Sequence, residues 1–453
     1  MDFFRKYFFA LLLVLFSLAC EEQEIEPQHY MVASVDAALF NINEDFGSLR
    51  EKMYEDLNLV FSSSDYQALQ NLPSLGVSVS EEKVEHYLID TYHWQADNLL
   101  FNNVWRSFFS ALSDINYIID ELSNTYRGYD QAEELLLEAR FIRALYMFEH
   151  AIMFGQVALP ISPINNVSEI SDVKWVKGEK IWKFLIDELN VASLLTKEKS
   201  KQFKPNYWAV KALLGKIHLY KANKGDKEAW IKAYRSFSDI LNSGQFILEK
   251  QYANLFEPDL LNDIESLFYT QLSVAEPTLK FGEINSYSLR PSLRLPSLFS
   301  DQDNRLATII EEAGENEKAF KKYNSAFYQG EAIPFYVVRL ADIWLLHSEI
   351  IQHILPGDRA RLTGINLVRE RSKLQLISNE VSDKDFLMYI QQEREKELIL
   401  EAKSLYDYRR WGLDFMKSSQ PEMPIQEKHL VFPIPNAVLA DDHLNVYEQH
   451  QGY

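Results

Sequence analysis

The chain has 453 residues, 47% of them hydrophobic and 25% charged, which is the balance of a folded protein with a sizeable core and excludes general disorder. Its formal net charge is −20, and a surface so acidic repels phosphate backbones and anionic lipid, so nucleic acid is not an expected partner. Aromatic residues reach 13%, with 24 Tyr and 8 Trp; most should fill a core, and the rest are candidates for a ligand surface.

The N-terminus carries Arg5 and Lys6, then an apolar run from Tyr7 to Ala19 that is too short to span a bilayer and suits a signal-peptide core. Ala19 precedes Cys20, the single cysteine of the chain. This arrangement resembles the lipobox of bacterial lipoproteins, with Ser17 standing where Leu is usual. Residues 1–19 are therefore expected to be a signal peptide, Cys20 the lipidated residue, and residues 20–31 a polar tether holding the domain to the membrane through lipid alone. Removing residues 1–19, net +1, leaves a mature charge of −21. Glu21 and Glu22 resemble the acidic tag that directs such lipoproteins to the cell surface. With one cysteine, no intrachain disulfide and no thiolate metal site are possible.

From Ser34 onward, apolar residues recur three and four apart, as at Trp208, Ala212, Ile217 and Tyr220. The spacing predicts helices over 34–61, 95–124, 131–154, 178–196, 206–223, 227–243, 336–353, 361–373 and 384–404. Ala212 and Gly215 would let one helix of a pair approach its neighbour closely, and Ser382 with Asp385 reads as a capping signal. Paired helices of this length predict a mostly α fold, a tetratricopeptide-like helical-repeat scaffold in a single domain over 32–453. Two regions break the pattern: 62–93, with Pro73, Gly76 and the alternating run Val77–Val79, and 250–335, rich in Ser, Pro and aromatics. Loop-rich segments on a rigid helical frame are where binding residues gather.

Leu137-Glu-Ala-Arg140-Phe-Ile-Arg143-Ala-Leu-Tyr146, followed by Phe154-Gly155 and Pro160, resembles the best-preserved stretch of SusD/RagB proteins. Further matches follow in family order: Trp208 to Tyr220, Arg339-Leu-Ala-Asp342, Asn366-x-x-Arg369-x-Arg371, Glu393 to Glu401, Asp407-Tyr-Arg-Arg410-Trp411-Gly412, and the closing Gly452-Tyr453. Departures are Glu401-Ala402-Lys403-Ser404 in place of Glu-Gly-x-Arg, and His450-Gln451 before the last two residues. The resemblance implies a SusD-like fold and a surface lipoprotein of the outer membrane. It further implies capture of glycan oligomers, without turnover, for delivery to a SusC-like TonB-dependent transporter. Arg140, Arg143, Arg339, Asp342, Glu393, Arg394, Glu397, Asp407 and Arg409 read as architectural charges that lock helices together.

No catalytic constellation stands out. His347-x-Glu349-x-x-x-His353 has the wrong spacing for a zinc helix, and no nucleophile elbow or phosphate loop occurs, so no catalytic residue, metal or cofactor is assigned. Sugars offer C–H faces to aromatic rings and hydroxyls to polar groups. Tyr92, His93, Trp94, Tyr287, Tyr323 and Tyr328, all from the loop-rich regions, are the candidate ligand contacts. The alternatives are a peptide-capturing receptor of the RagB type, a lipid-anchored glycoside hydrolase, and a purely structural scaffold.

Overall fold

Most of the expected helices form, for the local reasons that their spacing gives. The computed structural model describes residues 46–164, 173–199, 204–256, 264–272, 289–314, 317–323, 333–441 and 446–453, all of which belong to one compact unit. Residues 1–19, Cys20, the tether and the predicted helical residues 34–45 lie outside that set. Two helices open the described part, α1 (Phe46–Ser62) and α2 (Ser64–Asn71), followed by α3 (Val84–Asp90). The frame then runs through α4 (Leu99–Asn124), α5 (Asp130–Phe154), α6 (Lys180–Ala192), α7 (Tyr207–Asn223) and α8 (Lys227–Leu241). It resumes with α9 (Leu340–Ile354), α10 (Arg361–Arg371) and α11 (Asp383–Glu397), and ends on the short α12 (Ser404–Trp411) and α13 (Leu413–Ser419).

Each frame helix packs on the next, α4 on α5 through to α8 on α9, and α9 then takes both α10 and α11. That succession of neighbours is the helical-repeat scaffold expected from the sequence. Starts are set by side-chain caps. Asn98 accepts from the Leu100 N–H at 2.9 Å, Asn206 from Trp208 and Ala209, Asp226 from Ala229, and Ser382 from Asp385 at 3.1 Å. Such a cap contributes about 1 kcal/mol. Gly215 and Gly364 mark close helix contacts, because a Cβ there would run into the Phe237 ring and the Trp344 carbonyl oxygen respectively. Ala341, Leu345, Ile365, Val368, Phe386 and Ile390 fuse α9, α10 and α11 into one apolar joint.

Among the described residues, four short antiparallel ladders decorate this frame. The strands are β1 (Val77–Val79), β2 (Leu159–Pro160), β3 (Trp175–Val176), β4 (Ser266–Leu272), β5 (Leu289–Pro291), β6 (Ile310–Gly314), β7 (Glu317–Phe320) and β8 (Ile333–Arg339). They pair as β1·β5, β2·β3, β4·β8 and β6·β7. Three expectations are corrected. The helix predicted from 336 starts at Leu340, because Ile333–Arg339 is drawn into the β4 ladder. The helix predicted over 384–404 stops at Glu397, and Leu400 and Ala402 then take left-handed backbone. Residues 95–97 lie outside α4, whose cap is Asn98.

The expected architectural charges form buried clusters. Arg339 donates to Glu401 Oε2 at 2.7 Å, Glu265 Oε1 at 2.9 Å and Glu397 Oε1 at 2.6 Å. Arg371 joins Glu265 and Glu397, Arg305 joins Asp303, Glu393 and Glu397, and Lys322 joins Glu401. A second cluster links Lys216 and Arg394 to Asp342, Arg394 and Arg410 to Asp407, and Arg410 to Glu349. Burial alone would raise Glu397 and Asp342; for Glu397 the guanidiniums of Arg371, Arg339 and Arg305, and for Asp342 Lys216 and Arg394, hold the carboxyl well below its usual range. Glu265, Asp303, Arg305 and Lys322 come from the loop-rich 250–335 region, so the insertion is riveted to the helical frame by charge.

Arg140 and Arg143 share Glu188 of α6, as architecture predicts. Arg409 departs from expectation. It reaches the His429 carbonyl and lies over the Trp94 and Phe432 rings, while its Nε and Nη2 have no hydrogen-bond partner. No helix of the described residues is long and apolar enough to cross a membrane.

Candidate functional site

The two loop-rich regions meet. The β1·β5 ladder pairs Val77–Val79 with Leu289–Pro291, and Ser292 extends it by donating from its N–H to the Gly76 carbonyl at 3.0 Å and from its hydroxyl to the Leu75 carbonyl at 2.5 Å. Gly76 packs closely at this seam: an added Cβ would lie 2.6 Å from Ile399 Cδ1 and 3.0 Å from Leu295 Cδ1, so those two side chains would have to shift. The turn Pro73–Gly76 is thereby fixed against the C-terminal helices.

Beside this turn lies a groove of about 450 Å³, bounded by Leu75, by Ser297 and Leu298, and by the facing sides of α11 and α13. That volume falls within the range of small-ligand sites, roughly 300–1,000 Å³. Leu75, Leu298, Met388 and Phe415 supply apolar surface, and Gln391, Gln392, Ser297, Ser418 and Ser419 supply amides and hydroxyls. Met388, Gln391, Gln392 and Glu395 are spaced i, i+3, i+4, i+7, so α11 presents them on one face. Its opposite face, with Phe386, Ile390, Glu393, Arg394 and Glu397, is buried. Two ionisable groups line the groove, Glu395 and Lys396. Burial pushes the Glu395 carboxyl up to about 7, Asp407 adds to this, and the Leu75 and Gly76 N–H groups oppose it. Burial lowers the Lys396 amine, against the pull of Glu393.

A second groove, about 460 Å³, lies where α4 turns into α5, between Leu122, Tyr126, Leu136, Leu137 and Leu194. Its lining is mostly apolar, whereas the first groove combines apolar surface with converging amides and hydroxyls, which is the pairing that orients a ligand.

The candidate contacts fare unequally. Tyr92 and Trp94 are 2% and 1% exposed, so neither ring offers a stacking face, contrary to expectation. Trp94 donates its indole N–H to the Ile89 carbonyl at 2.9 Å and packs on Phe432 and His429. Tyr92, held in left-handed backbone, donates its hydroxyl to the Pro73 carbonyl at 2.9 Å. Gln420, next to Ser419, bonds both that carbonyl and the Tyr92 oxygen. Tyr92 thus braces two walls of the groove from behind. Tyr323 is also buried, edge-on to Phe256 at 5.3 Å, and packs rather than faces solvent. His93 is exposed, with Nδ1 3.1 Å from the Thr91 hydroxyl. Tyr287 and Tyr328 lie outside the described residues. Sequence reasoning missed the α11 stripe; its signal was Met, Gln, Gln and Glu at helical spacing opposite an apolar face.

Among the described residues no group of acidic, His or Cys side chains could hold a metal ion. His347 bonds the Ser238 hydroxyl at 3.0 Å, His353 stacks on Trp230 at 4.2 Å, and Glu349 is taken by Arg410.

Comparison with known proteins agrees with this fold. A family model described as "SusD family" matches residues 314–451, and one described as "Starch-binding associating with outer membrane" matches residues 33–219. A SusD-like protein of Bacteroides ovatus is 24% identical over 372 residues, 68% of this chain; the match spans 65% of that relative's length. A SusD superfamily crystal structure from Bacteroides vulgatus aligns with a TM-score of 0.76 at 20% identity, covering 90% of this chain and 98% of that one. A crystal structure described as a complex with xylogluco-oligosaccharide aligns at 0.71 and 20% identity, over 83% of this chain and 85% of that one. At such identities the structural likeness speaks to the fold alone. The two family models together match well over half of the chain, which belongs to the SusD/RagB family.

Proposed function

We propose that the protein is a surface receptor that captures glycan oligomers in the groove between α11 and α13, without hydrolysing them, and passes them to a SusC-like TonB-dependent transporter. Lipidation at Cys20 would hold it to the outer membrane. The observation that carries this reading is the lining: apolar faces of Phe415, Met388 and Leu298 stand beside the amides of Gln391 and Gln392 and the hydroxyls of Ser418 and Ser419. A sugar needs that combination, an apolar surface for its C–H face and neutral donors and acceptors for its hydroxyls. Glu395 is the one carboxylate among the lining residues, whereas glycoside cleavage uses a flanking pair. Glu395 and Lys396 are the only ionisable groups among the lining residues, and a lining with so little negative charge favours a neutral glycan over a basic peptide. The relative solved with a xylogluco-oligosaccharide supports the same class of ligand. His93, which is exposed, and Tyr287 and Tyr328 are proposed as further ligand contacts.

Calorimetric titration with neutral oligosaccharides, xylogluco-oligosaccharide among them, tests the reading. Saturable heat without product is expected, and Phe415→Ala should weaken binding about tenfold, or 1.4 kcal/mol. Heat accompanied by cleavage products, or an unchanged affinity in the variant, would assign the groove another role.

A further inference from the structure

We propose that the second groove, at the α4–α5 turn, is the seat of residues 35–42 of this same chain, so that the domain grips its own N-terminal segment just inside the tether. Leu122, Leu136 and Leu137 line the groove with apolar surface, and Leu194, another lining residue, is 76% exposed. Tyr129, on the same turn, is 61% exposed. Contiguous apolar surface of this kind marks a place where something docks. The two ionisable lining residues, Arg127 and Glu133, carry opposite charges, so apolar contact rather than net charge selects the occupant.

Where the described chain begins decides that occupant. Phe46, the first described residue, sets its ring edge-on to Tyr126 of the groove lining at 4.9 Å, and tilted against Tyr129 at 6.0 Å. The preceding residues are therefore joined to the domain beside the groove. Ile42 is four residues from Phe46, a reach of up to about 14 Å, enough to enter a groove whose lining Phe46 already touches. The sequence there carries a matching face: Val35, Ala38, Leu39 and Ile42 recur at i, i+3, i+4 and i+7, while Asp36, Asn41 and Glu44 fall outside that stripe. The family match that begins at residue 33 puts this stretch with the domain rather than with the polar tether. A segment tied to the fold also has an effective concentration in the millimolar range, which a free partner must outcompete. Seating it would fix where the tether leaves the fold. With Cys20 lipidated, as proposed above, the α4–α5 turn is then the end of the domain tied to the membrane; the seat itself does not depend on lipidation.

Hydrogen exchange of the purified mature chain, followed by mass spectrometry on peptides covering 34–45, tests the seat. Amides of 35–42 should exchange at least about tenfold more slowly than their intrinsic rate. Leu194→Asp should remove at least about fivefold of that protection, because it sets a charge against the apolar stripe. Leu194 is exposed in the described fold, so exchange elsewhere in the domain should be unchanged in that variant. Leu39→Asp, which alters only the segment, should lose the same protection. Exchange of the wild type at the intrinsic rate overturns the proposal. Protection that survives Leu194→Asp also overturns it, since the segment is then held elsewhere. Protection that fades on dilution assigns the groove to the segment of a second copy and overturns it as well. No glycan enters these measurements, so the seat stands or falls separately from capture in the first groove.

Discussion

Replacing Glu397 by Gln would test whether buried charge rivets the 250–335 insertion to the frame. Its carboxylate receives Arg339 Nη1 at 2.6 Å, Arg305 Nη1 at 3.0 Å, and Arg371 Nη2. All four side chains are essentially inaccessible to solvent. The amide keeps the shape but removes the negative charge that three desolvated guanidiniums share. Breaking a buried ion pair from one side costs about 3–5 kcal/mol, chiefly because the partner stays charged and unpaired. The unfolding entropy of a chain this size is about 0.9 kcal/mol/K, so a loss near 4 kcal/mol lowers the melting temperature by about 4 °C. Thermal unfolding by circular dichroism measures this, with Lys183→Ala as a control, since the Lys183–Asp187 pair is largely exposed and should contribute nothing measurable. Adding Arg371→Met to Glu397→Gln should recover part of the loss, because it removes a buried guanidinium that has lost one of its two carboxylate partners. A melting temperature within about 1 °C of the wild type would refute the idea that this cluster holds the insertion.

Gly364→Ala should destabilise by about 1–3 kcal/mol, because the new methyl meets the rigid backbone carbonyl of Trp344 rather than a mobile side chain; urea unfolding midpoints would show it. His150→Phe should change the acid profile of stability. His150 is fully buried, neither ring nitrogen has a hydrogen-bond partner, and burial lowers its value to about 3. Between pH 6.5 and about 3 the unfolded chain binds this proton and the folded chain does not, so the contribution is full above 6.5 and drains by about 1.4 kcal/mol per unit as pH falls. The difference in unfolding free energy between variant and wild type should therefore grow in favour of Phe from pH 6.5 downwards, and a parallel pair of profiles would contradict the assignment.

The frame was legible because it is local. A helix such as Tyr207–Asn223 declares itself through residues three and four apart, and its start through Asn206. The errors fall where distant chain decides. Nothing within Ile333–Arg339 reveals that Ser266–Leu272 will pair with it, so its last four residues read as helix. Nothing in Leu398–Ser404 marks the break after α11, because Ala402 stands where the family carries Gly and yet adopts φ of 54°. The Glu401 carboxylate, fastened to Arg339 and Lys322, imposes that turn from outside.

The site was harder for a related reason. Aromatic residues in a loop-rich segment suggest a binding surface, but the same rings serve equally well to bury a loop against the core. What separates the two is tertiary: Arg409 and Phe432, far along the chain, close over Trp94, and Gln420 closes over Tyr92. A polar stripe on a charged helix, by contrast, usually means solvent. Gln391, Gln392 and Glu395 acquire another meaning only because α13 and the Leu75 turn stand opposite them. The turn stands there because Tyr92 holds it. Tyr92 thus bears on the groove through its hydrogen bonds to Pro73 and Gln420 rather than by offering a stacking face, and the loop acts on the groove through the position of Leu75.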